Sequence, residues 1–260
     1  MIAQKTPRLT VVGAGPGDPD LITLKAIKAL QTADVVLYDA LINRELLAYA
    51  SDAEHIFVGK RKGCYSYQQE QINELIVARA YSHGHVVRLK GGDPFIFGRG
   101  AEEMDYASRH NVAAAMVPGI SSALAVPAYR GIPLSKRGSS ESFWVITGTT
   151  KDHQLSQDVY LAAQSNATVV ILMGMGKLNK IVRIFADQNK NELPVAVIQN
   201  GTTENERFGI GTVDTILSIV EENNLKAPAI IVIGEVVKQR TVVADILEHY
   251  KEEIVSSEVR

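Results

Sequence analysis

Several features that mark specialised classes of protein are missing from this sequence. Its 260 residues include a single cysteine, Cys64, which excludes an intramolecular disulfide and a multi-cysteine metal site. The 27 basic and 29 acidic residues leave a net charge of −2, so the overall field does not hold the chain on nucleic acid or on an anionic membrane. No apolar run approaches the ~20 residues of a membrane helix, and the N-terminus lacks the apolar core of a signal peptide. With six histidines that show no metal-ligand spacing, these absences predict a cytoplasmic protein with no metal and no membrane or nucleic-acid partner.

What is present is a regular alternation of strand and helix patterns. Short β-branched runs at 9–12, 35–38, 55–58, 85–89 and 113–117 are separated by stretches with helical spacing. They are too continuously apolar for half-exposed hairpins, which predicts an α/β lobe whose sheet is mainly parallel and covered by helices on both faces. The Pro-Gly pair at 118–119 suggests a boundary. We therefore expect lobes at 1–117 and 118–244, followed by a helical tail at 245–260.

The second half has a different strand pattern. Apolar runs at 143–147, 168–173, 194–199, 207–211 and 229–233 are typical of strands. The segment NGTTENER, at 200–207, joins two of them through turn-forming residues, which predicts a hairpin. The second lobe is therefore expected to contain a mixed sheet.

The loop GAGPGDP follows the first predicted strand. Its glycines fall at 13, 15 and 17, whereas the dinucleotide-binding fingerprint needs its third glycine where Asp18 stands. Two prolines also remove N–H donors that a pyrophosphate would need. The loop thus argues against a nicotinamide oxidoreductase, although Asp39 ends the second strand where a ribose-binding acid would lie and keeps that alternative open. A tight turn without any ligand is the simpler structural explanation.

The segment RLKGGDPFIFGRG, residues 88–100, carries the most information about function. Its glycines follow a strand, so the backbone can approach a ligand at the edge where open α/β sheets bind theirs. Phe95 and Phe97 offer apolar surface to a flat ring or to the core. A loop with only a structural role would rarely combine these aromatics with an acid and several basic residues.

Basic residues cluster after several strands of the first lobe. A run of charge is usually a solvated face, but in a parallel sheet these positions share one edge. That edge would bind a polycarboxylate or phosphate through charge-assisted hydrogen bonds. The candidates for substrate binding are Arg61, Arg88, Lys90 and Arg99, with Lys60 beside them.

Taken together, these segments resemble the uroporphyrinogen-III C-methyltransferases of the tetrapyrrole (precorrin) methyltransferase family. The similarity runs from about residue 9 to residue 237 and includes VVGAGPGDPDLITLKA, VGKR, VRLKGGDPFIFGRGAEE, VPGISSA, ILMGMG and NGTT. The resemblance implies two αβα lobes with the methyl donor S-adenosylmethionine in a cleft between them. It also implies the stand-alone form, because the chain is too short for the extra module of the fused siroheme synthases.

The same resemblance assigns roles to residues. It places the proton acceptor on Asp39 and the proton donor on Lys60. The serines at 121 and 122 replace a pair that often contains threonine, and Lys136 stands where histidine is common. Both replacements keep hydrogen-bonding ability, so they concern only the details of binding. Contacts with S-adenosylmethionine are implied for Pro16, Gly91, Gly92, Asp93, Ile96, Ser121, Ser122, Met173, Gly201 and Ala229.

The implied reaction is methylation of uroporphyrinogen III at C2 and C7, which gives precorrin-2 for siroheme or cobalamin synthesis and releases S-adenosylhomocysteine. A homodimer is implied as well. Another precorrin methyltransferase, a protein-modifying relative and a non-catalytic tetrapyrrole carrier remain as alternatives.

Overall fold

The computed structural model describes residues 6–59 and 67–240. The chain divides into two compact units, Met1–Ser122 and Ala123–Arg260, so the division falls later than the boundary expected at 117–118. Lys60, Arg61 and the expected tail at 245–260 lie outside the described residues. Within the described part of the chain, no helix is long and apolar enough to cross a membrane.

The first unit is built on a five-stranded parallel sheet. Its strands are β1 Arg8–Gly13, β2 Val35–Tyr38, β3 Glu54–Phe57, β4 His85–Lys90 and β5 Ala113–Val117. They lie in the order β3-β2-β4-β1-β5, and each pairing is parallel. The helices of this unit are α1 Leu24–Gln31, α2 Gln69–His83 and α3 Gly100–Arg109, with 3-10 turns at Pro19–Leu21 and Arg44–Ala50.

Helices cover both faces of this sheet. Val86 of β4 packs in one apolar cluster with residues of α2 and α3, whereas Val87 packs in another with residues of α1. Because successive strand residues point to opposite faces, β4 is buried at every position. This confirms the expected parallel sheet between two layers of helices.

The second unit contains a five-stranded mixed sheet. Its strands are β6 Phe143–Thr147, β7 Thr168–Leu172, β8 Pro194–Gln199, β9 Arg207–Thr212 and β10 Ala229–Ile233. The order is β6-β7-β10-β8-β9. β6 and β7 are parallel, β10 is antiparallel to β7 and β8, and β8 and β9 form the predicted hairpin.

Helical segments also lie on both faces of the second sheet. Helix α4, Ser122–Tyr129, begins at the last residue of the first unit, and its Val126 packs on one face with the 3-10 turn Glu235–Gln239. The other face is covered by α5 Asp158–Gln164, α6 Leu178–Ala186 and α7 Ile216–Glu222. A further 3-10 turn, Met175–Lys177, leads into α6.

Candidate functional site

Three loops meet at the carboxyl edge of the first sheet, after its neighbouring strands β4, β1 and β5. A Cβ atom on Gly13 would lie 2.4 Å from Gly119 N and 2.7 Å from Gly92 O. Gly92 donates its N–H to Gly15 O at 2.7 Å, and Gly15 donates in return to Gly92 O at 3.3 Å. Both of these glycines have positive φ angles, +65° and +80°, which only glycine adopts at little cost. The glycines therefore allow backbone segments to pack directly against one another.

Asp93 fastens this arrangement. Its Oδ1 accepts the N–H of Phe95 at 2.8 Å, and its Oδ2 accepts the N–H of Gly119 at 3.1 Å. The carboxylate thereby joins the loop after β4 to the loop after β5. Asp93 thus supports the expected donor site by holding the backbone of these two loops together.

Gly92 faces the start of α4 at van der Waals distance. A Cβ atom there would meet no atom closer than Ser122 N at 3.7 Å and Ser121 Cα at 3.9 Å. Ser121 is buried, and Ser122 is the first residue of α4. The half-buried Pro16 lies in the turn between Gly15 and Gly17. The residues expected around the donor in the first unit thus lie in loops at one sheet edge.

An apolar tip extends from the loop after β4. Phe95, Ile96 and Phe97 are all exposed, and Phe97 has a φ of 53°. Leu41 is exposed as well, and a Cβ atom on Gly91 would lie 3.0 Å from its Cβ. This tip presents apolar surface of the kind that a flat macrocycle can contact.

Four charged side chains form a network beneath the same edge. Arg88 donates from Nη2 to Asp39 Oδ1 at 2.6 Å and from Nε to Glu103 Oε1 at 3.1 Å. Lys90 Nζ lies 3.0 Å from Glu103 Oε1 and 3.9 Å from Asp39 Oδ2. The side chain of Asp39 is 27% exposed, whereas those of Arg88 and Glu103 are 2% and 0% exposed. Asp39 is thus the member of the network that a bound molecule can reach.

Burial shapes the protonation of the two cations. Burial opposes the charged form of Arg88, but the carboxylates of Glu103 and Asp39 outweigh it and raise the pKa of the guanidinium. Burial and the charge of Arg88 lower the pKa of Lys90 in spite of the same two carboxylates. Arg88 is therefore a permanent cation at the centre of the network.

The positions of Arg88 and Lys90 differ from the open basic rim that the sequence suggested. Both side chains point to the face of the sheet that α2 and α3 cover, where Glu103 of α3 pairs with each of them. Arg99, by contrast, is exposed and pairs with Glu102 at 2.6 Å. Of the four residues proposed to bind substrate, Arg99 alone is both described and open to solvent, since Arg61 lies outside the described residues.

The second unit brings its own expected donor residues to one edge of its sheet. Met173 follows β7, and Gly201 follows β8, whereas Ala229 begins β10. Because β10 runs antiparallel to both neighbours, its first residue lies beside their carboxyl ends, with Ala229 opposite Gln199. Met173 is exposed with a φ of 55°, and its carbonyl accepts the Thr149 hydroxyl at 3.0 Å.

A buried acid supports the turn at Gly201. Glu206 Oε2 accepts the N–H of Thr202 at 2.6 Å, and its other oxygen pairs with Arg130. A Cβ atom on Gly201 would lie 2.3 Å from Val126 Cγ1, so no side chain fits there. Neither Glu206 nor Glu103 was selected from the sequence, because an acid in a hairpin or helix usually faces water.

Across residues 6–59 and 67–240, no group of three or more His, Cys, Asp or Glu side chains is placed to hold a metal ion.

Known proteins resemble this chain along most of its length. A family model described as Tetrapyrrole (Corrin/Porphyrin) Methylases matches residues 8–217. The uroporphyrinogen-III C-methyltransferase of Methanocaldococcus jannaschii is 48% identical over 235 residues, which cover 89% of this chain and 97% of that protein. A siroheme synthase of Nitrosomonas europaea is 43% identical over 90% of this chain, which spans 50% of that longer protein. The crystal structure of uroporphyrin-III C-methyl transferase from Thermus thermophilus complexed with S-adenyl homocysteine is 36% identical, with a TM-score of 0.76 and coverage of 89% of this chain and 99% of that one.

Proposed function

Because the chain belongs to the tetrapyrrole (corrin/porphyrin) methylase family, we propose that it transfers methyl groups from S-adenosylmethionine to C2 and C7 of uroporphyrinogen III. The product is precorrin-2, a precursor for siroheme or cobalamin. The observation that carries this proposal is the 48% identity to a uroporphyrinogen-III C-methyltransferase over 97% of that protein. A cytoplasmic location and a homodimer are part of the proposal.

The loops of the first unit fit a nucleotide methyl donor. Gly91 and Gly92 carry no side chain, so the backbone of this loop can approach a bound nucleotide closely. We assign donor contacts to Pro16, Gly91, Gly92, Asp93, Ile96, Ser121 and Ser122 in the first unit and to Met173, Gly201 and Ala229 in the second. The donor supplies an electrophilic methyl group on a sulfonium, and the protein needs no metal for its transfer.

The macrocycle carries eight carboxylates, which require cations. Arg99 is the exposed cation of the described site, and Lys60 and Arg61 stay predictions from the sequence. Arg88 and Lys90 serve the substrate indirectly, since their charges are directed to Asp39 and Glu103. The exposed phenylalanines of the 88–100 loop contact the apolar faces of the ring.

Asp39 is assigned the proton transfer that accompanies methylation. When a pyrrole carbon forms its bond to the methyl group, the carbon–sulfur bond breaks and the ring gains positive charge. Loss of a ring proton then removes this positive charge from the ring. Asp39 accepts this proton or stabilises the ring charge, and Lys60 returns a proton or binds a carboxylate. The rest of the rate acceleration comes from alignment of the pyrrole carbon, the methyl group and the sulfur in a site that excludes water.

An anaerobic assay with labelled donor and uroporphyrinogen III tests the proposal. We expect two labelled methyl groups per macrocycle, counted by mass, with and without a chelator. Donor binding without any transfer to uroporphyrinogen III would overturn the assigned substrate and favour a methyltransferase for a later precorrin. Binding of the macrocycle without donor binding would favour a carrier.

A further inference from the structure

Glu103 accepts side-chain hydrogen bonds from three residues of the first unit. It lies in α3 with its side chain completely buried. Its Oε1 accepts hydrogen bonds from three donors: Gln69 Nε2 at 3.1 Å, Arg88 Nε at 3.1 Å and Lys90 Nζ at 3.0 Å. Two helices and the central strand therefore meet at one carboxylate oxygen.

The two cations that contact Glu103 are the same two that face Asp39. Arg88 uses Nε for Glu103 and Nη2 for Asp39. A guanidinium is planar, with its N–H groups in a fixed fork. The Nε bond to Glu103, together with weaker Nη1 bonds to the carbonyls of Leu89 at 3.2 Å and Leu37 at 3.4 Å, therefore sets the direction from which Nη2 meets Asp39. The Lys90 ammonium likewise contacts both carboxylates, those of Glu103 and Asp39. Two positive and two negative charges balance within the network.

We propose that Glu103 is a positioning residue for methyl transfer, which holds Arg88 and Lys90 so that the Asp39 carboxylate keeps one orientation toward the macrocycle. The inference rests on the proposed function. Glu103 would act through Arg88, Lys90 and Asp39, without touching the donor or the macrocycle itself. Without Glu103, Arg88 would keep Asp39 as its one acidic partner, and its Nη1 hydrogen bonds to the neutral carbonyls of Leu37 and Leu89 would hold the guanidinium less firmly. The lowered pKa of Lys90 would fall further without the opposing charge of Glu103, which would weaken its hold on Asp39.

A purely structural role is the competing explanation, because Glu103 also joins α3 to β4. The two explanations differ in their coupling to Asp39. A residue that acts through Asp39 loses its effect once Asp39 has been replaced, whereas a general loosening of the fold multiplies with any other defect.

The decisive experiment is a double-mutant cycle read by single-turnover methyl transfer at saturating donor and uroporphyrinogen III. We expect Glu103→Gln to slow transfer about 10-fold beside the native Asp39 and less than about 2-fold in the Asp39→Asn background. Affinity for S-adenosylhomocysteine should stay the same in all four proteins. Equal losses in both backgrounds would overturn the inference. Asp105→Asn is the matched control, since Asp105 lies on α3 but forms an exposed ion pair with Arg109.

A second variant covers the case in which Glu103→Gln fails to fold. Gln69→Leu removes one of the three donors to Glu103 while leaving both cations in place, and it should show the same coupling to Asp39 at smaller amplitude. Additive losses for this variant would overturn the inference as well. If the unaltered protein transferred no methyl group to uroporphyrinogen III, the proposed function itself would be wrong, an outcome distinct from additive losses in an active enzyme.

Discussion

Arg88 and Asp39 form an ion pair of 2.6 Å that links a buried strand residue to a partly exposed loop residue. Arg88 belongs to β4, and Asp39 follows the neighbouring strand β2. Because the guanidinium is almost fully buried, solvent screens this pair less than an exposed one. The pairing fixes the Asp39 carboxylate at the sheet edge where the glycine loops converge.

Replacement of Asp39 should separate chemistry from donor binding. Asp39→Asn keeps the shape of the side chain but loses its charge and its proton affinity, so single-turnover methyl transfer should fall by ~100-fold or more. Calorimetric affinity for S-adenosylhomocysteine should change little. The exposed Asp52 provides a control, and Asp52→Asn should leave both measurements unchanged. Full-speed transfer by Asp39→Asn would remove Asp39 from the catalytic residues.

Replacement of Gly92 should weaken donor binding. Its φ of +65° disfavours any other residue, and an added methyl group would lie 3.7 Å from Ser122 N, at the sheet edge where the donor is proposed to bind. Gly92→Ala should cost about 1–2 kcal/mol of folding stability and weaken donor affinity at least ~10-fold by the lost contacts. Gly138→Ala is the matched control, since Gly138 has a φ of +77° with nothing within 4 Å. If both variants lost the same donor affinity, the loss would result from backbone strain and not from a missing contact between Gly92 and the donor.

Loss of Glu206 should disturb the turn at Gly201. Glu206→Ala deprives the Thr202 N–H and Arg130 of their acceptor, which should lower the free energy of unfolding by about 1.5–3 kcal/mol. Donor affinity should fall with it if Gly201 contacts the donor. Glu204, exposed in the same loop, supplies the control variant Glu204→Ala. Denaturant titration and calorimetry measure the two effects, and unchanged affinity in a destabilised Glu206→Ala protein would contradict the role of Gly201.

Acid should destabilise the first unit through His85. This histidine is 4% exposed at the start of β4; its Nδ1 donates to Thr32 O at 2.7 Å and its Nε2 accepts from the Thr10 hydroxyl at 2.8 Å. Burial, aided by the charge of Arg8, lowers the pKa of His85 although Thr32 and Asp34 act in the opposite direction.

The sign of the effect follows from that shift. Below the ordinary value of 6.5, the unfolded chain takes up a proton before the folded one does, so stability is lost as pH falls from 6.5 through the lower pKa of the folded state. Denaturant midpoints measured across this range should fall more steeply for the natural protein than for His85→Gln. Parallel curves would contradict the prediction.

The local pattern of the sequence determined the architecture of each unit. Apolar β-branched runs separated by helical spacing predicted a parallel sheet between helices, since such strands must be covered on both faces. The turn residues of 200–207 predicted the hairpin between β8 and β9. The glycines of the 88–100 segment predicted a close approach of backbone at this sheet edge, and the structure shows that approach between Gly92, Gly13 and Gly119.

Only the tertiary structure decided which charges face a ligand and which face one another. In the sequence, Arg88, Lys90 and Arg99 are equivalent basic residues near strand ends, and nothing local distinguishes a buried cation from an exposed one. Packing between elements makes that distinction: Glu103 on α3 pairs with Arg88 and Lys90 in the interior, while Arg99 stays in solvent. The antiparallel course of β10 likewise brings Ala229 beside the ends of β7 and β8. Burial and strand direction depend on which elements pack together, and that packing sets the electrostatics of the site.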